Sequence, residues 1–122
     1  MTKKNVMIVE DESIIALELA MIVEKAGYAV TRVSHTAEDA VNYAATERLD
    51  LVIMDVLLGK KGNGIDAAER INAIFSVPVL FITGNRMLIN EKDMKNISNY
   101  IVMSKPPSEF DIVKNVKLLM GD

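Results

Sequence analysis

The chain of 122 residues contains no cysteine, no tryptophan and one histidine, His35. Without cysteine it cannot form disulfide bonds, thiolate zinc sites or thiol nucleophiles. The single histidine excludes a metal site built from several imidazoles, and we expect it on the surface. No apolar run reaches the length of a transmembrane helix, and residues 1–5 lead into a predicted strand rather than a secretory signal. We therefore expect a cytoplasmic protein without a membrane segment.

Charge is not concentrated in any one part of the chain. Fourteen basic and seventeen acidic residues give a formal net charge of −3, and the basic residues are scattered. This scatter argues against a surface that binds the phosphate backbone of nucleic acids. Half of the residues are apolar and a quarter are charged, which at this length suits one globular domain with a sizeable core. We expect a single domain over residues 1–122 that does not bind nucleic acid.

Apolar runs of strand length alternate with stretches of helical length five times along the chain. The predicted strands are residues 6–9, 28–33, 51–54, 78–83 and 100–103, and the predicted helices are residues 13–26, 36–47, 65–75, 85–97 and 108–120. Thr36 and Ser108 are suited to cap helices, and Gly27 is suited to end the first one. The helical pattern is least regular over 85–97. Repeated βα units predict a parallel sheet with helices on both faces.

Polar residues stand at the carboxyl ends of four predicted strands. They are Glu10 and Asp11 after the first strand, Asp55 after the third, Thr83 at the end of the fourth and Lys105 after the fifth. In open parallel sheets the ligand site lies outside these ends. We therefore expect the five side chains to converge in one cleft.

Three carboxylates in one cleft would repel one another and raise one another's pKa. A hard divalent cation removes this conflict, and oxygen ligands with room for water suit Mg²⁺ better than zinc. The Thr83 hydroxyl and the Lys105 ammonium are suited to the oxygens of a tetrahedral anion. A carboxylate can also attack phosphorus to form an acyl phosphate. The pattern thus indicates an acidic Mg²⁺ site with Asp55 as its central acid.

Each site residue also has an ordinary structural explanation. Asp55 could serve only as a turn residue, Asp11 as a helix cap and Thr83 as the end of a strand. Lys105 alone would be a solvated surface lysine. None of these explanations accounts for the joint position of these residues at adjacent strand ends.

Taken together, five short motifs resemble the receiver domain of response regulators in two-component signalling, over essentially the whole chain. The motifs are Ile8-Val9-Glu10-Asp11-Glu12, Val52-Ile53-Met54-Asp55, Gly64-Ile65, Thr83-Gly84 and Lys105-Pro106. The resemblance implies a flavodoxin-like (CheY-like) α/β fold, with a five-stranded sheet of order 2-1-3-4-5 and a cis bond between Lys105 and Pro106.

The resemblance also implies a function. Asp55 would accept a phosphoryl group from a sensor histidine kinase or a histidine phosphotransfer domain, with Thr83 and Lys105 beside it. Mg²⁺ would be held by Glu10 or Asp11, by Asp55 and by the backbone carbonyl of Leu57. Such a domain is not an enzyme, beyond Mg²⁺-dependent phosphorylation of itself from small phosphodonors and its own dephosphorylation.

Three other classes of protein share part of the pattern. A flavodoxin that binds FMN has the same topology, but Glu10-Asp11-Glu12 would repel its phosphate. A phosphatase of the haloacid dehalogenase type would carry a second aspartate where Leu57 stands. A receiver-like interaction module that is never phosphorylated would keep the fold, and it is the main alternative.

Two regions suggest how such a domain would differ from its relatives. The position in the fifth strand that is commonly aromatic in the family is Val102 here, and Tyr100 lies two residues earlier. The first helix has more apolar residues than one buried stripe needs, with Ile14, Leu17 and Met21 on one side and Ile15, Leu19 and Ile22 on another. We expect one set to remain exposed as a docking surface, for a phosphotransfer helix or for a second copy in a homodimer.

Overall fold

The computed structural model describes residues 2–122, apart from the side chain of Leu88. The strands are β1 (Asn5–Val9), β2 (Ala29–Ser34), β3 (Leu51–Asp55), β4 (Val79–Thr83) and β5 (Tyr100–Ser104). The α-helices are α1 (Ser13–Lys25), α2 (Ala37–Thr46), α3 (Gly64–Ile74) and α4 (Glu109–Met120). Short 3₁₀ helices occupy Gly59–Lys61, Arg86–Leu88 and Glu91–Met94. None of the helices in this described part is long and apolar enough to cross a bilayer.

The five strands form one parallel sheet in the order β2-β1-β3-β4-β5. The predicted flavodoxin-like topology is confirmed. All residues of β3 and β4 are buried, because these central strands are covered on both faces, and this explains their unbroken apolar sequences. The ends of the predicted strands differ from the observed ones by at most one residue.

Side chains alternate between the two faces of the sheet and so feed two separate cores. Ile8, Ile53 and Leu80 pack on the side of α1 and α4. Met7, Met54 and Phe81 pack on the side of α2 and α3. The sheet is therefore the middle of three layers, and its carboxyl edge is left open between the helices.

The predicted helix caps have the expected contacts. The Thr36 hydroxyl accepts the Asp39 amide at 3.0 Å, and the Ser108 hydroxyl accepts the Asp111 amide at 3.0 Å. Gly27 follows α1 with φ of 104°, a conformation that glycine adopts without strain. These local signals fix where α1, α2 and α4 begin or end.

The predicted α-helix over residues 85–97 is wrong. This stretch instead forms two short 3₁₀ helices, with three residues in the first and four in the second. The side chains of Asn85 and Asn90 each accept a backbone amide two residues further on. Asparagine favours such local contacts over the interior of a helix, so Asn90 interrupts the stretch where an α-helix would have to continue.

Candidate functional site

Asp55 ends the central strand β3 and is 6% exposed. Its Oδ1 accepts the Leu57 amide at 3.3 Å, and its Oδ2 accepts the Lys105 ammonium at 3.0 Å. α3 begins directly against this residue, since a Cβ placed on Gly64 would lie 2.0 Å from the Asp55 carbonyl oxygen. The absence of a side chain at Gly64 therefore lets α3 pack close to the site.

Glu10 and Asp11 converge on Asp55 as predicted. Carboxylate oxygens of the three residues lie within 4.8 Å of one another. Glu10 is 1% exposed, and its burial, together with the neighbouring Asp55 carboxylate, raises its pKa to about 7. Asp11 does not cap α1, because the residue at the cap position is Glu12. Three crowded oxygen ligands of this kind fit a hard cation such as Mg²⁺, which would relieve their repulsion.

Lys105 supplies the nearest positive charge. Its Nζ lies 3.0 Å from Asp55 Oδ2 and 3.5 Å from Glu10 Oε2. Burial alone would lower the pKa of this lysine, but the hydrogen bond and charge of Asp55, with a further contribution from Glu10, outweigh burial and raise it. Lys105 thus stays protonated between two acids. The peptide bond between Lys105 and Pro106 is cis, as the resemblance implied.

Thr83 lies at the same edge of the sheet, but its hydroxyl is engaged elsewhere. The Thr83 carbonyl accepts the Lys105 amide at 2.8 Å, which joins the ends of β4 and β5. The buried hydroxyl accepts the Asn85 amide at 3.1 Å and donates to the Asn85 carbonyl at 3.3 Å. Before this hydroxyl can donate to a ligand beside Asp55, its hydrogen bond to the Asn85 carbonyl must break.

Leu57 lies in the loop between β3 and α3. It faces Asn63 across an antiparallel bridge, whose hydrogen bonds are made by the flanking residues Val56 and Leu58 with Gly64 and Gly62. The backbone groups of Leu57 are therefore outside the bridge, and its amide reaches Asp55. This placement is compatible with the expected use of its carbonyl as a ligand.

The expectation that His35 is a surface residue was incomplete. The ring is half-buried, and its Nδ1 lies 2.9 Å from the carbonyl oxygen of Glu10. The sequence places His35 shortly after a predicted strand, but the strand order is needed to show which residue it meets, because the residues after two neighbouring parallel strands lie at one edge. His35 follows β2 as Glu10 follows β1.

The family model of the response regulator receiver domain matches residues 6–117. The chain belongs to this family. The acidic cluster of the receiver fits the Mg²⁺ site expected of a two-component signalling domain.

Two curated relatives show how far the similarity of this receiver extends. The phyllosphere-induced regulator PhyR of Methylorubrum extorquens is 37% identical over 91 residues, which are 72% of this chain and 34% of PhyR. The transcriptional regulatory protein PdtaR of Mycobacterium tuberculosis is 32% identical over 120 residues, which are 97% of this chain and 57% of PdtaR. The receiver thus spans about a third of one relative and just over half of the other.

Solved structures agree with the fold of this receiver. The receiver domain of PhyR from Erythrobacter litoralis has a TM-score of 0.85 and 31% identity, covering 99% of this chain and 92% of that one. The N-terminal domain of a response regulator/sensory box/GGDEF protein from Carboxydothermus hydrogenoformans has a TM-score of 0.87 and 28% identity, covering 97% and 94%.

The aromatic residue of β5 is partly buried and stands at the amino end of the strand, away from the carboxyl edge that holds the site. Tyr100 and Val102 pack on the same core as α2 and α3. The Tyr100 ring meets Phe81 edge to face, with ring centroids 6.2 Å apart. Arg86 donates to the Val102 carbonyl at 3.1 Å and so ties the first 3₁₀ helix after β4 to the outer edge of β5.

Proposed function

We propose that Asp55 is the phosphoacceptor of a two-component phosphorelay. The observation that carries this proposal is the meeting of Asp55 with Glu10, Asp11 and Lys105 at the carboxyl edge of the sheet. The donor would be the phosphohistidine of a sensor histidine kinase or of a histidine phosphotransfer domain. The receiver would act as a signalling domain rather than as an enzyme with a separate substrate.

In the proposed transfer, a carboxylate oxygen of Asp55 forms a bond to phosphorus while the phosphorus–nitrogen bond of the donor breaks. The imidazole leaves and takes up a proton. Lys105 is placed to bind the phosphoryl oxygens, and its charge offsets the negative charge that accumulates there. Glu10, Asp11, Asp55 and the Leu57 carbonyl would hold Mg²⁺, which when bound supplies further charge neutralisation.

The Thr83 hydroxyl is proposed to join the site only after transfer. A new phosphoryl group adds about two negative charges and three acceptor oxygens. Moving the hydroxyl toward it would give up the two contacts with Asn85. The segment after β4 would then be released at its first residue, which links phosphorylation to a change at the surface.

Incubation with acetyl phosphate and Mg²⁺, followed by intact mass measurement, tests the acceptor. We expect one phosphoryl adduct on the native chain and none on Asp55→Asn. Asp66→Asn is a matched control, because Asp66 is an exposed carboxylate in the first turn of α3, outside the acidic cluster. An unmodified native chain, or equal modification of Asp55→Asn, would favour the alternative of an interaction module that is never phosphorylated.

The exposed side of α1 is the proposed docking surface for the phosphodonor helix. Ile14, Leu17 and Met21 are 81%, 62% and 64% exposed, which confirms that one of the two apolar sets remains uncovered. A cavity of about 410 Å³ lies between α1 and α4, and Glu10 and Lys105 are part of its lining. Ile15, Leu19 and Ile22, the other apolar set, line the α1 side of this cavity. A helix that lay on the exposed set and also covered the cavity would therefore reach the edge that holds Asp55.

Glutamate substitutions at Ile14, Leu17 and Met21, one at a time, test this surface. We expect phosphotransfer from a histidine phosphotransfer protein to fall on the order of tenfold or more, as for truncation of an apolar anchor. Phosphorylation by acetyl phosphate should be unchanged, because the small donor needs no docking. Ile74→Glu, at a half-exposed position on α3, is the control. If sedimentation changes while transfer does not, the surface serves a second copy instead.

We also propose that residues 1–122 form one domain that works in the cytoplasm, as the sequence predicts. Both cores share the same sheet, which supports a single unit. Two further statements stay predictions: this domain does not bind nucleic acid, and it can form a homodimer. The signal it transmits would depend on the protein in which it acts.

A further inference from the structure

The peptide groups on either side of Glu10 are held from the end of β2. The Glu10 amide donates to the Ser34 carbonyl at 2.9 Å. The Glu10 carbonyl meets Nδ1 of His35 at 2.9 Å. Ser34, the last residue of β2, and His35, the next residue, thus bind the backbone of Glu10 on both sides.

The chemistry of this contact fixes the state of the ring nitrogen. A carbonyl oxygen only accepts hydrogen bonds, so Nδ1 of His35 must carry the proton. The contact is therefore a donated side-chain hydrogen bond to the carbonyl that begins the Glu10–Asp11 peptide. The direction of this peptide sets where the Asp11 side chain points.

The loop that carries His35 is itself anchored. Asp39 accepts from the Arg32 guanidinium and from the Ser34 hydroxyl, and its amide donates to Thr36. Residues on both sides of His35 are thus fixed to α2. The imidazole is presented to Glu10 from a rigid support rather than from a free loop.

The start of α1 offers less support from its own side chains. Glu12, at the cap position, makes no capping side-chain contact within the described residues. The acidic residues must also be held near one another although their charges repel. A fixed donor on the Glu10 carbonyl opposes the rotation that would carry Asp11 away from Asp55.

We propose that His35 is a positioning residue for the metal-binding acids, acting through the Glu10–Asp11 peptide. The inference rests on the proposed Mg²⁺ site. Partners that orient metal ligands in this indirect way typically contribute about 10- to 100-fold to metal affinity.

Binding of Mg²⁺ to the full unphosphorylated chain, measured by titration calorimetry, tests the role of His35. We expect His35→Ala to weaken binding about tenfold or more. His35→Asn should recover most of the affinity, because its amide nitrogen stands at the same distance along the side chain as Nδ1. His35→Gln places its amide one bond further out and should bind as weakly as His35→Ala.

Tyr43→Phe is the matched control. It removes a hydrogen bond of the same kind, from the Tyr43 hydroxyl to the Thr31 carbonyl, elsewhere between β2 and α2. We expect its Mg²⁺ affinity to equal that of the native chain. A purely structural role for His35 would lower the melting temperature without this order of affinities.

The outcomes separate the inference from the function on which it rests. A native chain that does not bind Mg²⁺ would refute the proposed metal site, and the positioning role with it. Native binding that is unchanged in His35→Ala, or equally weak in the Asn and Gln variants, would refute the positioning role alone. If His35→Ala does not fold, the comparison of Asn with Gln still decides.

Discussion

The stretch that follows β3 and the stretch that follows β4 begin alike and end differently. Both leave the sheet at a buried polar residue, Asp55 in one case and Thr83 in the other. After β3 the chain forms the 3₁₀ helix Gly59–Lys61 and then α3, an α-helix of eleven residues. After β4 it forms two separate 3₁₀ helices of three and four residues.

The difference follows from where asparagine stands and how much apolar surface is buried. Asn63 caps α3 once, at its beginning, and the buried residues Ile65, Ala68 and Ile71 then recur at helical spacing. In the second stretch Asn85 and Asn90 each cap a short turn. The buried apolar side chains there include Met94 and Ile97, both near its end.

The comparison suggests a division of tasks within one site. The acid that is proposed to accept phosphate sits against a helix so closely packed that a side chain at Gly64 would clash with the Asp55 carbonyl. The hydroxyl that is proposed to respond sits before a stretch with few buried contacts, and such stretches open at low cost. Three predictions test this division, from the largest expected effect to the smallest.

Alanine substitution of a glycine in each stretch should give very different losses of stability. In Gly64→Ala the new Cβ would lie 2.0 Å from the Asp55 carbonyl oxygen, so backbone must move. In Gly84→Ala it would have no described atom within 4 Å. We expect Gly64→Ala to lower the free energy of unfolding by about 2 to 4 kcal/mol and Gly84→Ala to change it by less than about 0.5 kcal/mol. Urea denaturation measures both, and similar losses would show that the two stretches are equally constrained.

Without a bound metal ion, ionisation of Glu10 beside Asp55 should destabilise the folded chain. Glu10 has a pKa of about 7 in the folded chain, against an ordinary value of 4.5. The folded state therefore holds this proton more tightly than the unfolded state, and the free energy of unfolding falls as pH rises from 4.5 to about 7. The loss should be about 1 to 3 kcal/mol.

Denaturation in EDTA at about pH 5 and about pH 7.5 measures this loss, and comparison with Glu10→Gln isolates the part due to Glu10. The variant should lack that part, since its amide does not titrate. Added Mg²⁺ should reduce the loss in the native chain. Equal pH dependence in both chains would mean that Glu10 is ionised without penalty.

The smallest effect should be confined to the end of β4 and the stretch after it, residues 83–97. On addition of beryllofluoride, a phosphoryl mimic, we expect several-fold changes in amide exchange over residues 83–97 and little change elsewhere. Tyr100→Ala should alter this response little, because the Tyr100 ring is packed on Phe81 and Val102 is too small to fill a space left by Thr83. A shift from about 1% to about 99% of an active state needs about 5.5 kcal/mol, and we expect this receiver to fall short of it.

Hydrogen exchange measured by mass spectrometry on the native chain follows this response. Asp55→Asn is the control, because it cannot bind the mimic covalently. A large rearrangement of β5 and α4 that disappears in Tyr100→Ala would instead show that aromatic coupling operates from the shifted position.

Much of this protein could be predicted from its sequence, because the decisive signals are local. Short apolar runs such as Leu51–Met54, with β-branched residues and polar flanks, indicate buried strands, and repeated βα units leave few alternatives to a parallel sheet. The positions of Glu10, Asp11, Asp55 and Lys105 at strand ends follow from that topology, and their carboxylate and ammonium groups indicate an anion and metal site.

The tertiary structure decided the features that depend on contacts between residues far apart in the sequence. The high pKa of Glu10 requires burial beside Asp55, and the contact of His35 with the Glu10 carbonyl requires β2 to lie next to β1. The state of residues 85–97 was decided by a balance between weak helical periodicity and the caps made by Asn85 and Asn90. Such a balance is settled by packing against the sheet, where only Met94 and Ile97 among the described side chains of this stretch are buried, and that is too little to extend two short turns into one helix.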